Sequence, residues 1–141
     1  MPSTTLISWK NKYKFSADLD GHQIIMDAKK ENGGEGSGPS PKILLLAGLG
    51  GCTGMDIVSI LKKMHFVDFD MEIKVDANSA EEYPQVYNSI AIYYRLVGDN
   101  IPVDKIKKAV KLSEDKYCSV MAMLRKTAEI KTIVVINDLE V

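Results

Sequence analysis

Cysteine is scarce in this chain of 141 residues: only Cys52 and Cys118 occur, beside a single tryptophan and 7% aromatic residues. Two cysteines cannot staple a disulfide-rich scaffold. Charge of either sign is not in excess, since 18 basic residues face 19 acidic ones for a net charge of -1. That balance removes the electrostatic case for a nucleic-acid or membrane-surface partner. The short basic pairs Lys29-Lys30 and Lys107-Lys108 read as solvated faces. Long hydrophobic runs are missing too. The longest, Ile43 to Leu49, falls well short of the roughly 20 residues of a membrane helix, and beyond it glycines and Asp56 interrupt the apolar character. Met1 to Lys10 has neither the basic start nor the apolar stretch of a secretory signal. The expectation is a soluble, cytoplasmic protein, in which two thiols are more often free or catalytic than bridged. With no internal repeat and no linker, residues 1–141 are expected to form one domain. A domain of this length buries about 70% of the surface its unfolded chain exposes, so folding needs neither disulfide nor metal.

The pattern predicts an α+β fold. Tyr13, Phe15, Ala17 and Leu19 alternate with Lys14, Ser16 and Asp18, the period of a half-buried strand. Asp20-Gly21 supplies a hairpin turn and Gln23 to Ala28 the returning strand. Trp9 is expected to close one side of the core or an interface. Asn32 to Pro41 reads as a loop of little intrinsic order. Ser40-Pro41 then looks like a helix start, with a helix from Lys42 to about Met64 that is apolar on nearly all sides up to Leu49 and is expected to be buried all round, either centrally or between two subunits. Phe69 to Ala77 and Val86 to Val97 are strands that pair as a hairpin. Pro102 opens an amphipathic helix with Val103, Ile106, Ala109 and Val110 inward, and a further helix runs from Cys118 to about Ala128. Ile130 to Ile136 closes the chain as a β-branched strand.

Each cysteine is placed where a helix could begin. Cys52 comes after Gly48-Leu49-Gly50-Gly51, a run that weakens a continuous helix. A break there would leave Cys52 near a fresh N-terminus. Cys118 opens its helix after Ser113 to Lys116. Unpaired N–H groups and the positive dipole end favour thiolate at such positions. The bland alternative is a pair of buried structural thiols, and the wide separation of the two excludes a C-x-x-C motif.

Two further readings carry less weight. Leu44 to Gly54 resembles a strand and glycine-rich turn of a nucleotide or methyl-donor site, but Thr53 stands where the third glycine of G-x-G-x-x-G belongs, and no series of parallel strands is expected. Cys52, Cys118, His22 and His65 could supply four zinc ligands, yet none lies at the short spacings of recognisable zinc sites. No metal is therefore expected. The seven methionines read as core filler.

The segment GPSPKILLLAGLGGCTGMDIVSILKKM resembles the surroundings of the first cysteine in the OsmC/Ohr family, and YCSVMAMLRKTAEI, around Cys118, resembles its second signature. The strand order, the DG turn and the Gly-rich loop also match, so the likeness covers essentially the whole chain. It implies antiparallel sheets around a long buried central helix in an intertwined homodimer, with active sites at the interface. It further implies a thiol-dependent peroxidase that reduces organic hydroperoxides. Cys52 would be peroxidatic, passing through a sulfenic acid, and Cys118 would resolve it as a disulfide that an external dithiol resets. No bound cofactor is implied. The chain departs from the family at two places. The family's Glu ten positions before the first cysteine is Lys42 here, and its N-terminal Arg is missing, with Lys12 or Lys14 near that place. Lys42 and Lys12 are thus candidate supporting residues, although a lysine lacks the planar fork of arginine. The alternative is a non-catalytic OsmC-like protein that binds a small molecule or senses redox state.

Overall fold

A computed structural model describes residues 2–141. The chain divides into two compact units, residues 1–45 and 46–141.

In the first unit, β1 (Leu6–Asn11), β2 (Lys14–Leu19) and β3 (His22–Met26) form an antiparallel sheet in that order. Asp20 and Gly21 join β2 to β3 with φ of 51° and 81°, the double left-handed turn that matches the twist of paired strands. Trp9 does not fill a core. It is 64% exposed, and its indole N–H donates to the Lys12 carbonyl at 2.9 Å. The Gly-rich loop is also better ordered than its composition suggests. Asp27 is buried and accepts the backbone N–H groups of Ala28, Glu35 and Ser37 as well as the Ser37 hydroxyl, at 2.8, 3.3, 3.1 and 2.7 Å. The Ser37 hydroxyl holds the Asp27 carboxyl below its usual range, against the opposing effect of burial. Glycine is required at 34, where a Cβ would overlap the Ala28 carbonyl.

A 3-10 turn, Pro41–Ile43, leads into α1 (Leu44–Lys63). Ser40 occupies the cap position without a side-chain cap bond. Contrary to the expected break, α1 runs through its glycines without interruption. The second unit shows what those glycines do. A Cβ at Gly50 would sit 3.5 Å from Ile73 and Val75, and one at Gly54 only 2.9 Å from Ile73. They let the helix lie close on the sheet. Within a single chain α1 is not buried all round. Leu49, Ile57 and Leu61 are buried, while Met55 and Val58 are 78% and 47% exposed. The segment Pro41–Lys63 has the length and apolarity to cross a membrane, a property the shorter run Ile43 to Leu49 did not reveal, and 22% of its most apolar window is buried within the chain.

The sheet of this unit has the order β4-β5-β6-β7, from β4 (Asp70–Ser79), β5 (Tyr87–Val97), β6 (Glu129–Ile136) and β7 (Leu139–Glu140). β4 and β5 pair antiparallel, as the alternation of Met71, Ile73 and Val75 with charged neighbours predicts. β5 and β6 pair parallel, against the expectation of antiparallel strands only. The crossover consists of α2 (Val103–Leu112), a π-helical turn (Ser113–Tyr117) and α3 (Ser119–Leu124). Ile106, Ala109 and Val110 of α2 join Ile90, Ile92, Tyr94 and Leu96 of β5 in one core with Leu49, Ile57 and Leu61 of α1.

Candidate functional site

The two cysteines, distant in sequence, meet because the crossover is tied to α1 at Ser113, whose hydroxyl bonds the Thr53 carbonyl and Asp56. Cys52 lies in mid-helix, half-buried, so no helix terminus serves it as the glycine run suggested. One turn later on the same face comes Asp56. A sulfur from each cysteine and a carboxylate oxygen of Asp56 all lie within 4.8 Å of one another. Both cysteines are free thiols.

Cys118 owes its place to the π-helical turn. Its N–H donates to the Ser113 carbonyl at 2.8 Å, a bond spanning five residues, and the wider turn carries the chain out of helical geometry. At Cys118 the backbone is extended (φ -77°, ψ 107°), and Sγ accepts the Met121 N–H at 3.3 Å. Single π turns inside helices frequently mark functional sites. The first residue of this turn, Ser113, is buried, and its hydroxyl donates to Asp56 Oδ2 at 2.9 Å. Cys118 is 3% exposed. Burial raises its thiol pKa to about 11, the neighbouring Cys52 adds to the rise, and the Met121 N–H opposes it. Cys118 therefore holds its proton at neutral pH.

Beneath the thiols lies a network that sequence inspection missed. Glu114 is buried. Its carboxylate accepts the Tyr94 hydroxyl at 2.7 Å and the Thr132 hydroxyl at 2.7 and 2.9 Å. Arg125 donates to the Glu114 carbonyl at 2.9 Å and places a second nitrogen 3.8 Å from the carboxylate. Glu114 thus fastens the π turn to β5, β6 and the end of α3. Tyr94 is wholly buried. Burial pushes its hydroxyl well above the ordinary phenol range, a hydrogen bond with Thr53 opposes this, and the charges of Glu114 and Cys118 reinforce it. The sequence-level signal, an acidic residue four before the second cysteine, was lost in the polar stretch Ser113 to Lys116.

The remaining sequence candidates are Lys12, Lys42, His65 and His22. Lys12, with φ of 45°, occupies the exposed turn between β1 and β2, and Lys42 is half-buried in the 3-10 turn, both in the first unit. His65 lies beyond the end of α1, at about 20 Å of helical rise from Cys52, so it cannot join the cysteines around one ion. His22 belongs to β3.

The model of the family described as OsmC-like protein matches residues 34–133. The chain belongs to the OsmC-like family. Protein YhfA of Escherichia coli (strain K12) is 35% identical over 125 residues, covering 88% of this chain and 90% of that protein. Among solved structures, a hypothetical protein from Aquifex aeolicus VF5 superposes with a TM-score of 0.86 at 29% identity, over 97% of each chain. The Organic Hydroperoxide Resistance Protein OhrB of Bacillus subtilis shares the fold, with a TM-score of 0.63 at 16% identity over 97% of this chain and 98% of that one. The OsmC/Ohr family includes cysteine-based peroxidases, and membership points to a redox or peroxide-related function. The α+β fold, with two sheets and a central helix, is the one the resemblance implied.

Proposed function

We propose that this OsmC-like protein is a thiol-dependent peroxidase that reduces organic hydroperoxides, with Cys52 peroxidatic and Cys118 resolving. The observation that carries the reading is the meeting of the two free thiols beside the Asp56 carboxylate. The Cys52 sulfur attacks the terminal peroxide oxygen. An S–O bond forms, the O–O bond breaks, and the thiol's proton passes through solvent to the departing alkoxide, which leaves as the alcohol, so that sulfur is oxidised and peroxide reduced. The Cys118 thiol then condenses with the Cys52 sulfenic acid: an S–S bond forms and water departs. A cytoplasmic dithiol returns both sulfurs to thiols by exchange. In this reading Lys12 and Lys42 supply positive charge where the family has Arg and Glu, and no cofactor takes part.

The test is the loss of cumene hydroperoxide with a dithiol reductant in excess. The expected result is turnover well above that of free cysteine, and one equivalent of peroxide without reductant should remove two hydrogens from the intact mass. A rate no faster than free cysteine would instead favour the redox-sensing or small-molecule-binding alternative, which the replacement of the family Glu by Lys42 supports.

We further propose that the chain works as a homodimer. Gly48, Gly51, Met55 and Val58 line one exposed face of α1 at helical spacing, and among the described residues nothing beyond the helix's own neighbouring backbone lies within 4 Å of a Cβ at either glycine. A second copy of the same helix would fit such a face. Sedimentation equilibrium is expected to give twice the chain mass of 15.6 kDa, and Met55→Lys is expected to shift the protein toward monomer. A wild-type protein that sediments as monomer at micromolar concentration would refute the dimer.

A further inference from the structure

We infer that the reduced site is also a binding site for a thiophilic divalent cation such as Zn2+, held by Cys52, Asp56 and Cys118. The donor set differs from the one the sequence suggested: Asp56 replaces both histidines. Three features argue for it together. First, two sulfurs and one carboxylate oxygen from two separate segments converge within 4.8 Å of one another. An ion about 2.3 Å from each sulfur and about 2.0 Å from the oxygen needs donor–donor edges of roughly 3.5–3.8 Å. Small side-chain rotations close that difference. Second, Asp56 already has an outer partner that fixes its carboxylate, the Ser113 hydroxyl at 2.9 Å, as carboxylate ligands of metals commonly do. Third, one of the donors is open to solvent: Asp56 lines a cavity of about 260 Å3 together with Ser59, Ile60, Lys63, Leu112 and Tyr117.

Binding would replace both S–H protons with the metal and release up to two protons: two thiolates, one carboxylate and M2+ give a complex of net charge -1. The disulfide leaves no thiolate to bind the ion, so metal and oxidant compete for the same sulfurs. Occupancy would therefore shield the resting thiols and hold back peroxide chemistry until the ion leaves. The proposal does not need turnover, because thiols that never reduced a peroxide would still bind the ion.

The experiment titrates the fully reduced, full-length protein with Co2+ and then Zn2+. Expected are near-ultraviolet thiolate-to-cobalt absorption saturating at one ion per chain and its loss as Zn2+ displaces Co2+, the weaker ligand-former in the first-row order. Removal of the outer partner in Ser113→Ala should weaken binding about tenfold. Asp56→Asn should weaken it more, while circular dichroism confirms that both variants fold. Cys52→Ser, Cys118→Ser and the oxidised wild type should lack the thiolate band. No thiolate band in the wild type would overturn the proposal, as would an unchanged band and affinity in Asp56→Asn. Undiminished binding by the Cys52→Ser/Cys118→Ser double variant would place the ion elsewhere and overturn it as well.

Discussion

Replacing Cys52 with serine is expected to reduce peroxide consumption to the background of the added reductant, whereas Cys118→Ser should consume the first equivalent at close to the parent rate. The asymmetry comes from the surroundings of the two sulfurs. Cys118 is almost wholly buried and its pKa is raised to about 11, so at pH 7 only about one molecule in ten thousand would carry its thiolate. A buried thiol that keeps its proton is a poor first nucleophile. Cys52 is half-buried on the neighbouring helix. In Cys118→Ser the Cys52 sulfenic acid has no partner, and excess peroxide should drive it to the sulfinic acid, which intact mass reads as a gain of two oxygen atoms. In the parent protein, disulfide formation requires Cys118 to lose its proton, so the resolving step should quicken as pH rises toward about 11. A Cys52→Ser protein that turned over at the parent rate would reverse the roles.

Glu114→Ala should be among the most destabilising single changes in the second unit, by about 3 kcal/mol, since it strips the carboxylate from the Tyr94 and Thr132 hydroxyls at a buried position. For a chain of this length that corresponds to a fall in melting temperature on the order of 10 °C. Glu114→Gln keeps an acceptor oxygen and should cost about half as much. The same change loosens the turn before Cys118, so peroxide treatment of Glu114→Ala should yield less disulfide and more sulfinic acid than the parent. Urea unfolding within 0.5 kcal/mol of wild type would show that the network contributes little.

Local periodicity accounts for the parts of the fold that were legible in the sequence. β4, β5 and β6 stood out through alternating or β-branched residues, α2 through its inward positions, and the β2–β3 hairpin through Asp20-Gly21. The cysteines were legible as chemistry, and their partnership only through family resemblance. Long-range pairing was hidden: nothing in Ile130 to Ile136 announces that this strand lies parallel to β5. The glycines before Cys52 invited a helix break, because close packing on Ile73 and a chain break leave the same sequence trace. Asp56 had a usable signal, its spacing of one turn from Cys52, while Glu114 had almost none, since an acidic residue in a polar stretch looks solvated until the fold encloses it.

The turn at Ser113–Tyr117 holds one residue more than an ordinary helical turn. Each residue of a regular helix advances the chain by about 100°, so a one-residue deletion there would let the helix regularise and swing the residue at the position of Cys118 to another side. The cysteine pair is thus sensitive to the length of this segment as well as to its composition. The length of this segment is more tightly constrained than the identity of an exposed residue such as Lys116.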